Sequence, residues 1–146
     1  MDAPRTGELT GPPNLPRLQP GQTLYSWCGA VHRWNGNVDV RETSRQLFGA
    51  PYAGLLHDLP SHLDALAERT SNLMGSVRLL ALRRTLLGYF LATATEDVAQ
   101  RTLRLTHAGA ATHLNMLLGI PASRVGGFHP LKACPLCCDE AVSACG

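Results

Sequence analysis

Lysine is almost absent from this chain: of its 13 basic residues only Lys132 is one, and the rest are arginine. Its positive charge is therefore carried by planar guanidinium groups, which bind phosphate or carboxylate through paired hydrogen bonds. A G+C-rich genome produces the same bias, and a formal net charge of +2 does not by itself point to nucleic acid. Long apolar runs are missing too. The best stretch, from Val77 to Leu91, is interrupted by Arg78, Arg83 and Arg84, well short of the roughly 20 uninterrupted residues that a spanning helix needs. The Pro- and Gly-rich start lacks the basic-then-apolar order of a secretory leader, so a cytoplasmic protein is expected. Three further absences exclude chemistry. No Gly-Lys-Ser/Thr loop is present to cradle a nucleotide phosphate. No His-x-Glu precedes the Cys-x-x-Cys, and Ala133 stands where a zinc deaminase has proline. No run alternates as a strand would, and no repeat is visible.

What the sequence does hold is 146 residues that are 45% apolar and 16% charged, enough for one compact core. Residues 1–22, with five prolines and three glycines, read as a flexible arm, because proline cannot continue a helix. From Leu24 the pattern changes: Leu24, Trp27, Cys28, Val31 and Trp34 recur at three- and four-residue steps on one helical face. This predicts a helix to about Asn35, capped by Thr23 and ended by Asn35-Gly36-Asn37. Trp27 and Trp34, seven residues apart, are both expected to pack into the core, with Cys28 as a small buried hydrophobe. A short helix follows from Val40 to Phe48, stopped by Gly49 and Pro51. Ser61 is expected to cap a helix to Arg69, with Asp64 in its first turn. The longest helix is predicted from Ser76 to Phe90, then one from Thr95 to about Leu105 and one from Thr112 to Leu118. The fold class is all-α: a small multi-helix domain over residues 23–125, helix-turn-helix-like in its N-terminal part, followed in 126–146 by the beginning of a zinc-finger-like motif.

Four of the five cysteines, Cys134, Cys137, Cys138 and Cys145, crowd the last thirteen residues, a distribution that favours metal over a disulfide framework. Cys134-Pro135-Leu136-Cys137 is a Cys-x-x-Cys loop of the kind that turns two thiolates toward one zinc ion. Zinc takes four ligands; His129 is the best-placed third, and Cys138, directly after Cys137, diverges from the same metal. Plain thiols on a frayed tail are the alternative. A redox dithiol is disfavoured, because it should open a helix after a strand. For nucleic acid the candidates are Arg41 and Arg45, four residues apart on one helical face, with Arg78, Arg83, Arg84, Arg101 and Arg104 further on; a solvated helix face is the competing reading. The remaining histidines are scattered without ligand spacing.

Taken in order, several pieces resemble the TniQ family of transposition target-selection proteins. Thr23-Leu24-Tyr25-Ser26-Trp27 resembles its opening Glu-Ser-Leu-Tyr-Ser-Trp, with Gln22 and Thr23 where Glu and Ser are usual. Leu66-Ala67-Glu68-Arg69-Thr70 resembles a helix entering the next element, and Thr85-Leu86-Leu87-Gly88-Tyr89-Phe90 is similar to Thr-Leu-Leu-Pro-Tyr-Tyr, with Gly88 for Pro. Ala122-Ser123-Arg124-Val125 and then Leu131-Lys132-Ala133-Cys134-Pro135-Leu136-Cys137 resemble an Arg-containing loop leading into Leu-Arg-Tyr-Cys-Pro-x-Cys. The resemblance spans roughly Pro20 to Gly146. It implies a non-catalytic adaptor that recognises target DNA, or a DNA-bound complex such as a CRISPR effector with its guide RNA, and recruits an AAA+ ATPase and transposase; a homodimer is compatible with it. It also implies that Cys134 and Cys137 hold structural zinc, and that further Cys and His ligands follow in longer relatives, so that this chain is a fragment or a reduced member. The alternatives are a stand-alone helix-turn-helix regulator with a zinc-stabilised tail, and a non-functional gene fragment.

Overall fold

The computed structural model describes residues 12–53, 59–109, 111–120 and 135–145. Among these the regular elements are all helical: α1 (Leu24–Trp34), α2 (Val40–Phe48), α3 (Leu63–Arg69), α4 (Val77–Arg84), α5 (Leu87–Leu91), α6 (Glu96–His107), α7 (Ala111–Leu117) and α8 (Pro135–Cys145). The chain is thus all-α in its described part, as its periodicity predicts. None of these helices is long and apolar enough to cross a membrane.

The first two helices follow from local chemistry. Thr23 accepts from the Ser26 amide at the start of α1. At its end Gly36, at φ 64°, allows the Asn37 amide to reach the His32 carbonyl and its own amide to reach that of Arg33, which satisfies carbonyls the helix leaves open. Asp39 caps α2, and left-handed Gly49 ends it. Leu24, Trp27, Cys28 and Val31 go into the core as the stripe predicts. Trp34 does not: it is 67% exposed, because α1 ends there and no described element covers the far end of its apolar face.

Around α3 the chain becomes tertiary in its logic. This helix packs on α2, α4 and α6, with Leu63 and Leu66 completely buried. The expected cap by Ser61 is not made. His62 takes the left-handed conformation at φ 57° before the helix begins, and the Ser61 hydroxyl faces His62 Nδ1 at 3.2 Å. The reason lies across the fold, where the His62 amide donates to the Ala108 carbonyl at 3.4 Å and the imidazole covers Gly109, a position at which a Cβ would overlap it. At the other end Ser71 is left-handed, the Asn72 amide bonds Ala67 and the Ser71 amide bonds Glu68, the double closure usually given to glycine.

The single helix expected from Ser76 to Phe90 is instead two, α4 and α5. Ser76 caps the first as expected, accepting from Leu79. The break is at Thr85, whose backbone is extended at φ −131°, ψ 173°. Its hydroxyl donates to the Ala81 carbonyl at 2.6 Å and accepts from the Leu87 amide at 3.1 Å, so one side chain closes α4 and opens α5. Farther on, α6 runs to His107, about a half turn beyond the expected end, and its N-cap Thr95 makes no side-chain bond.

Residues 12–22 lie against the core instead of forming part of a free arm. Asn14 and Asn35 exchange two bonds, Asn14 N to Oδ1 at 3.0 Å and Nδ2 to the Asn14 carbonyl at 2.8 Å. Trp27 Nε1 donates to the Pro16 carbonyl at 2.8 Å, Arg84 Nη1 to the Gln19 and Gln22 carbonyls at 3.1 and 3.2 Å, and Leu15 and Leu18 pack on the core. Extended, proline-rich backbone offers few internal partners for its carbonyls; Gln22 N and Gln19 Nε2 reach those of Gln19 and Arg17, and Trp27, Asn35 and Arg84 donate to the segment's carbonyls from outside it.

Gly88, in the first turn of α5, lies against the backbone of α4. A Cβ at Gly88 would strike the Leu82 carbonyl oxygen, which is backbone and cannot swing aside. Gly88→Ala is therefore expected to destabilise the fold by about 1–3 kcal/mol, despite the better helix propensity of alanine; urea denaturation reads the effect.

Candidate functional site

Of the arginines expected to meet nucleic acid, each has a different commitment. Arg41 folds back on the cap of its own helix, Nε to Asp39 Oδ2 at 2.8 Å. Hydrogen bonding to Tyr52, and then to Asp39, holds its guanidinium more firmly protonated than usual. The Arg41 amide, followed by its guanidinium, draws the Asp39 carboxyl below its ordinary range. Arg45 stands 3.7 Å from Glu42, both about half exposed, an arrangement worth little in water. Arg84 is half-buried and spends Nη1 on the N-terminal segment. Arg78 is exposed and makes no hydrogen bond or ion pair among the described residues. Arg83, a further candidate, is also exposed, as is Arg33, which the sequence reading does not single out. Arg69 is structural, with Nη1 donating to the Arg45 and Gln46 carbonyls at 2.8 and 3.1 Å.

The cysteine-rich end presents a different local structure from the loop that a zinc-binding Cys-x-x-Cys forms. A helix begins at Pro135, directly after Cys134, and runs through Cys137 and Cys138 to Cys145. Proline at the first helical position loses no hydrogen bond and supplies the right φ, which favours the helix from its first residue. Cys134, His129 and Arg124 lie outside the described residues. Among the described residues no group of three or more His, Cys, Asp or Glu side chains converges to hold a metal ion. Opening a helix meets half of what a redox dithiol requires; no strand precedes it among the described residues.

Two concave regions stand out. The first is a groove of about 440 Å³ between α1 and α2. From α1 it is lined by Tyr25, Cys28, Gly29 and His32, and from α2 by Val40, Thr43 and Leu47, two stripes at helical spacing that face each other. A polar cluster closes one side: His32 Nδ1 lies 2.8 Å from Thr43 Oγ1, and Asn37 Nδ2 donates to the same hydroxyl at 2.8 Å and to Gln46 Oε1 at 2.9 Å. The second region, between α6 and α7, is wider and more open, with Arg101, Arg104, His113 and Met116 around about 570 Å³. Arg101 is paired there with Asp97 at 3.1 Å.

Sequence reasoning could not find the first groove, because its α1 stripe holds a glycine, a histidine and a tyrosine beside the stronger apolar stripe that fills the core. Comparison with protein-family models and with curated proteins returned no match for this chain.

Cys28 sits beneath this groove, and its burial pushes the thiol up to about 12 from 9.0. It therefore stays protonated and unreactive near neutrality, whereas Cys138 is exposed. A disulfide reagent at pH 8 is expected to label Cys138 and spare Cys28 until the protein unfolds, as mass spectrometry of the labelled chain would report. The folded thiol holds its proton above pH 9.0 while the unfolded thiol loses it, so this contribution to stability is lost as pH rises from about 9 toward 12. The decline should be shallower in Cys28→Ala.

Proposed function

We propose that the chain is a non-catalytic targeting adaptor in DNA transposition, recognising target DNA or a complex already on DNA and recruiting an AAA+ ATPase with its transposase. The observation that carries this reading is the way the family-like motifs lie in the fold. Leu24-Tyr25-Ser26-Trp27 opens α1 and roots it through buried Trp27. Leu66 to Thr70 forms the end of the central α3 and its cap, and the Thr85-to-Phe90 motif forms the α4–α5 break. The three pieces quoted for the resemblance in the described region thus coincide with structural junctions, as expected if they define one domain. Successive packing of α1 on α2 and α2 on α3 supports a helix-turn-helix-like reading of the N-terminal part, in which Arg45 and Arg78 would hold phosphates and leave base edges to a helix in the groove. The protein would act in the cytoplasm, where its DNA is.

DNA contact is tested by electrophoretic mobility shift at several salt concentrations. Each phosphate-bound arginine contributes about 0.9 to the slope of log affinity against log salt. Arg45→Ala and Arg78→Ala should each flatten that slope by about 1, while Arg41→Ala, which removes a group already paired with Asp39, changes it less. Co-sedimentation with an AAA+ ATPase oligomer on DNA supports the adaptor. Tight, sequence-specific binding by this protein alone, with no ATPase retained, would point instead to a stand-alone regulator.

Structural zinc at Cys134 and Cys137 is a separate proposal that rests on their spacing. It supplies a cross-link and no reaction step. Purified protein is expected to hold zinc by elemental analysis and to lose it in the Cys134→Ser, Cys137→Ser double variant; equal metal content in the two would overturn it.

A further inference from the structure

Gly29 is in the middle of α1, where glycine weakens a helix relative to alanine. The two structural reasons that select glycine are missing. Its φ is not left-handed, and an added Cβ would have only Arg33 Nη1 within contact range, at 3.8 Å. What the missing side chain does is leave open the α1 wall of the groove, beside which the Arg33 guanidinium lies. Arg33 makes no ion pair among the described residues, and no Asp or Glu lines the groove. The nearest acids along α2 are engaged, Asp39 with Arg41 and Glu42 with Arg45 and Gln46. The groove is therefore mainly apolar, with the His32–Thr43 cluster closing one side and Arg33, a cation without an acidic partner among the described residues, at its edge.

From this geometry we infer that the α1–α2 groove docks an acidic amphipathic helix of a partner protein, which seats a bulky apolar side chain over Gly29 and sets a carboxylate on Arg33. Charge complementarity selects the acid, since a basic segment would meet Arg33 and find no anion in the lining. Exposed apolar edges select a chain over a small molecule. Tyr25 is 40% and Val40 49% exposed on opposite rims, and an occupant confined to the cavity leaves both in water, whereas a helix laid along the groove covers them. With 11 and 9 residues in the flanking helices, the groove is about 13–16 Å long, room for two to three helical turns. Apolar anchors at i and i+4 on such a segment match it. The inference is independent of the DNA reading above.

The test uses the full chain and fluorescence anisotropy with three labelled peptides of about 12 residues: a glutamate-rich helix with two phenylalanines four apart, the same peptide with alanine for phenylalanine, and the same with lysine for glutamate. Saturable binding of the first alone is expected. Gly29→Leu, which fills the groove while favouring the helix, should weaken it by about tenfold or more without lowering Tm. Arg33→Glu, a surface change, should weaken it comparably and improve binding of the lysine peptide. The proposal is overturned if the acidic peptide fails to bind or if both variants bind it as the native protein does. It also falls if 1-naphthoate occupies the groove and the peptide cannot displace it, if a DNA duplex competes the peptide off through Arg33, or if self-association of the chain covers the groove.

Discussion

A helix of seven residues does not persist on its own in water, because its nucleation cost exceeds what so few hydrogen bonds return. The fold nevertheless places such a helix, α3, at its centre, packed on α2, α4 and α6. Its stability must come from the burial of Leu63 and Leu66 and from closure at both ends. Each end uses a non-glycine residue in the left-handed region, His62 before it and Ser71 after it, which costs of order 1 kcal/mol or more apiece. That cost is offset by what the conformations achieve. One aims the His62 amide at the end of α6, and the other turns the chain back toward α4. Elements far apart in sequence therefore depend on one short helix being held in place.

Arginine does much of the holding. Arg69 closes the last carbonyls of α2, and Arg84 gathers carbonyls of residues 12–22. In both cases a single nitrogen bonds two backbone oxygens, and the guanidinium stays charged whatever its surroundings. The scarcity of lysine thus has a structural side: part of the cationic inventory is fastening backbone, and only a subset of the arginines is free to meet a ligand. Formal charge overstates the surface available for phosphate.

Legibility from sequence followed the range of the interactions involved. Val40–Phe48 could be read to the residue, because its cap and its stop lie within a few positions of it, and α1 was readable for the same reason. His62 could not be read, since its conformation answers to Ala108 and Gly109, nor could the break at Thr85, where a hydroxyl chose two backbone partners over a continued helix. Trp34 shared the periodicity of Trp27 but not its neighbours, and periodicity alone does not say where a core ends. Among the candidate site residues, spacing picks out Arg41 and Arg45 as candidates but does not show that Asp39, two positions from Arg41, is already paired with one of them. Arg84 reads as surface charge in the sequence, whereas in the fold it is half-buried and bonded to the backbone of residues 12–22. The helix at Pro135 was hidden by the metal-binding look of the surrounding cysteines, although proline at a first helical position is itself a start signal.

The contact between Trp27 and Pro16 makes the two indoles of the chain unlike probes. Trp27 is buried, with its ring nitrogen bonded to the backbone of the N-terminal segment, while Trp34, seven residues along the same helix, stands in solvent. Emission from the first reports whether that segment is seated, and emission from the second reports what approaches the end of α1. A quencher dissolved in water reaches one and not the other. The sequence has thereby divided its optical signal between an internal latch and an outer surface, so that attachment of the segment and arrival of a partner can be followed separately in a single unlabelled molecule.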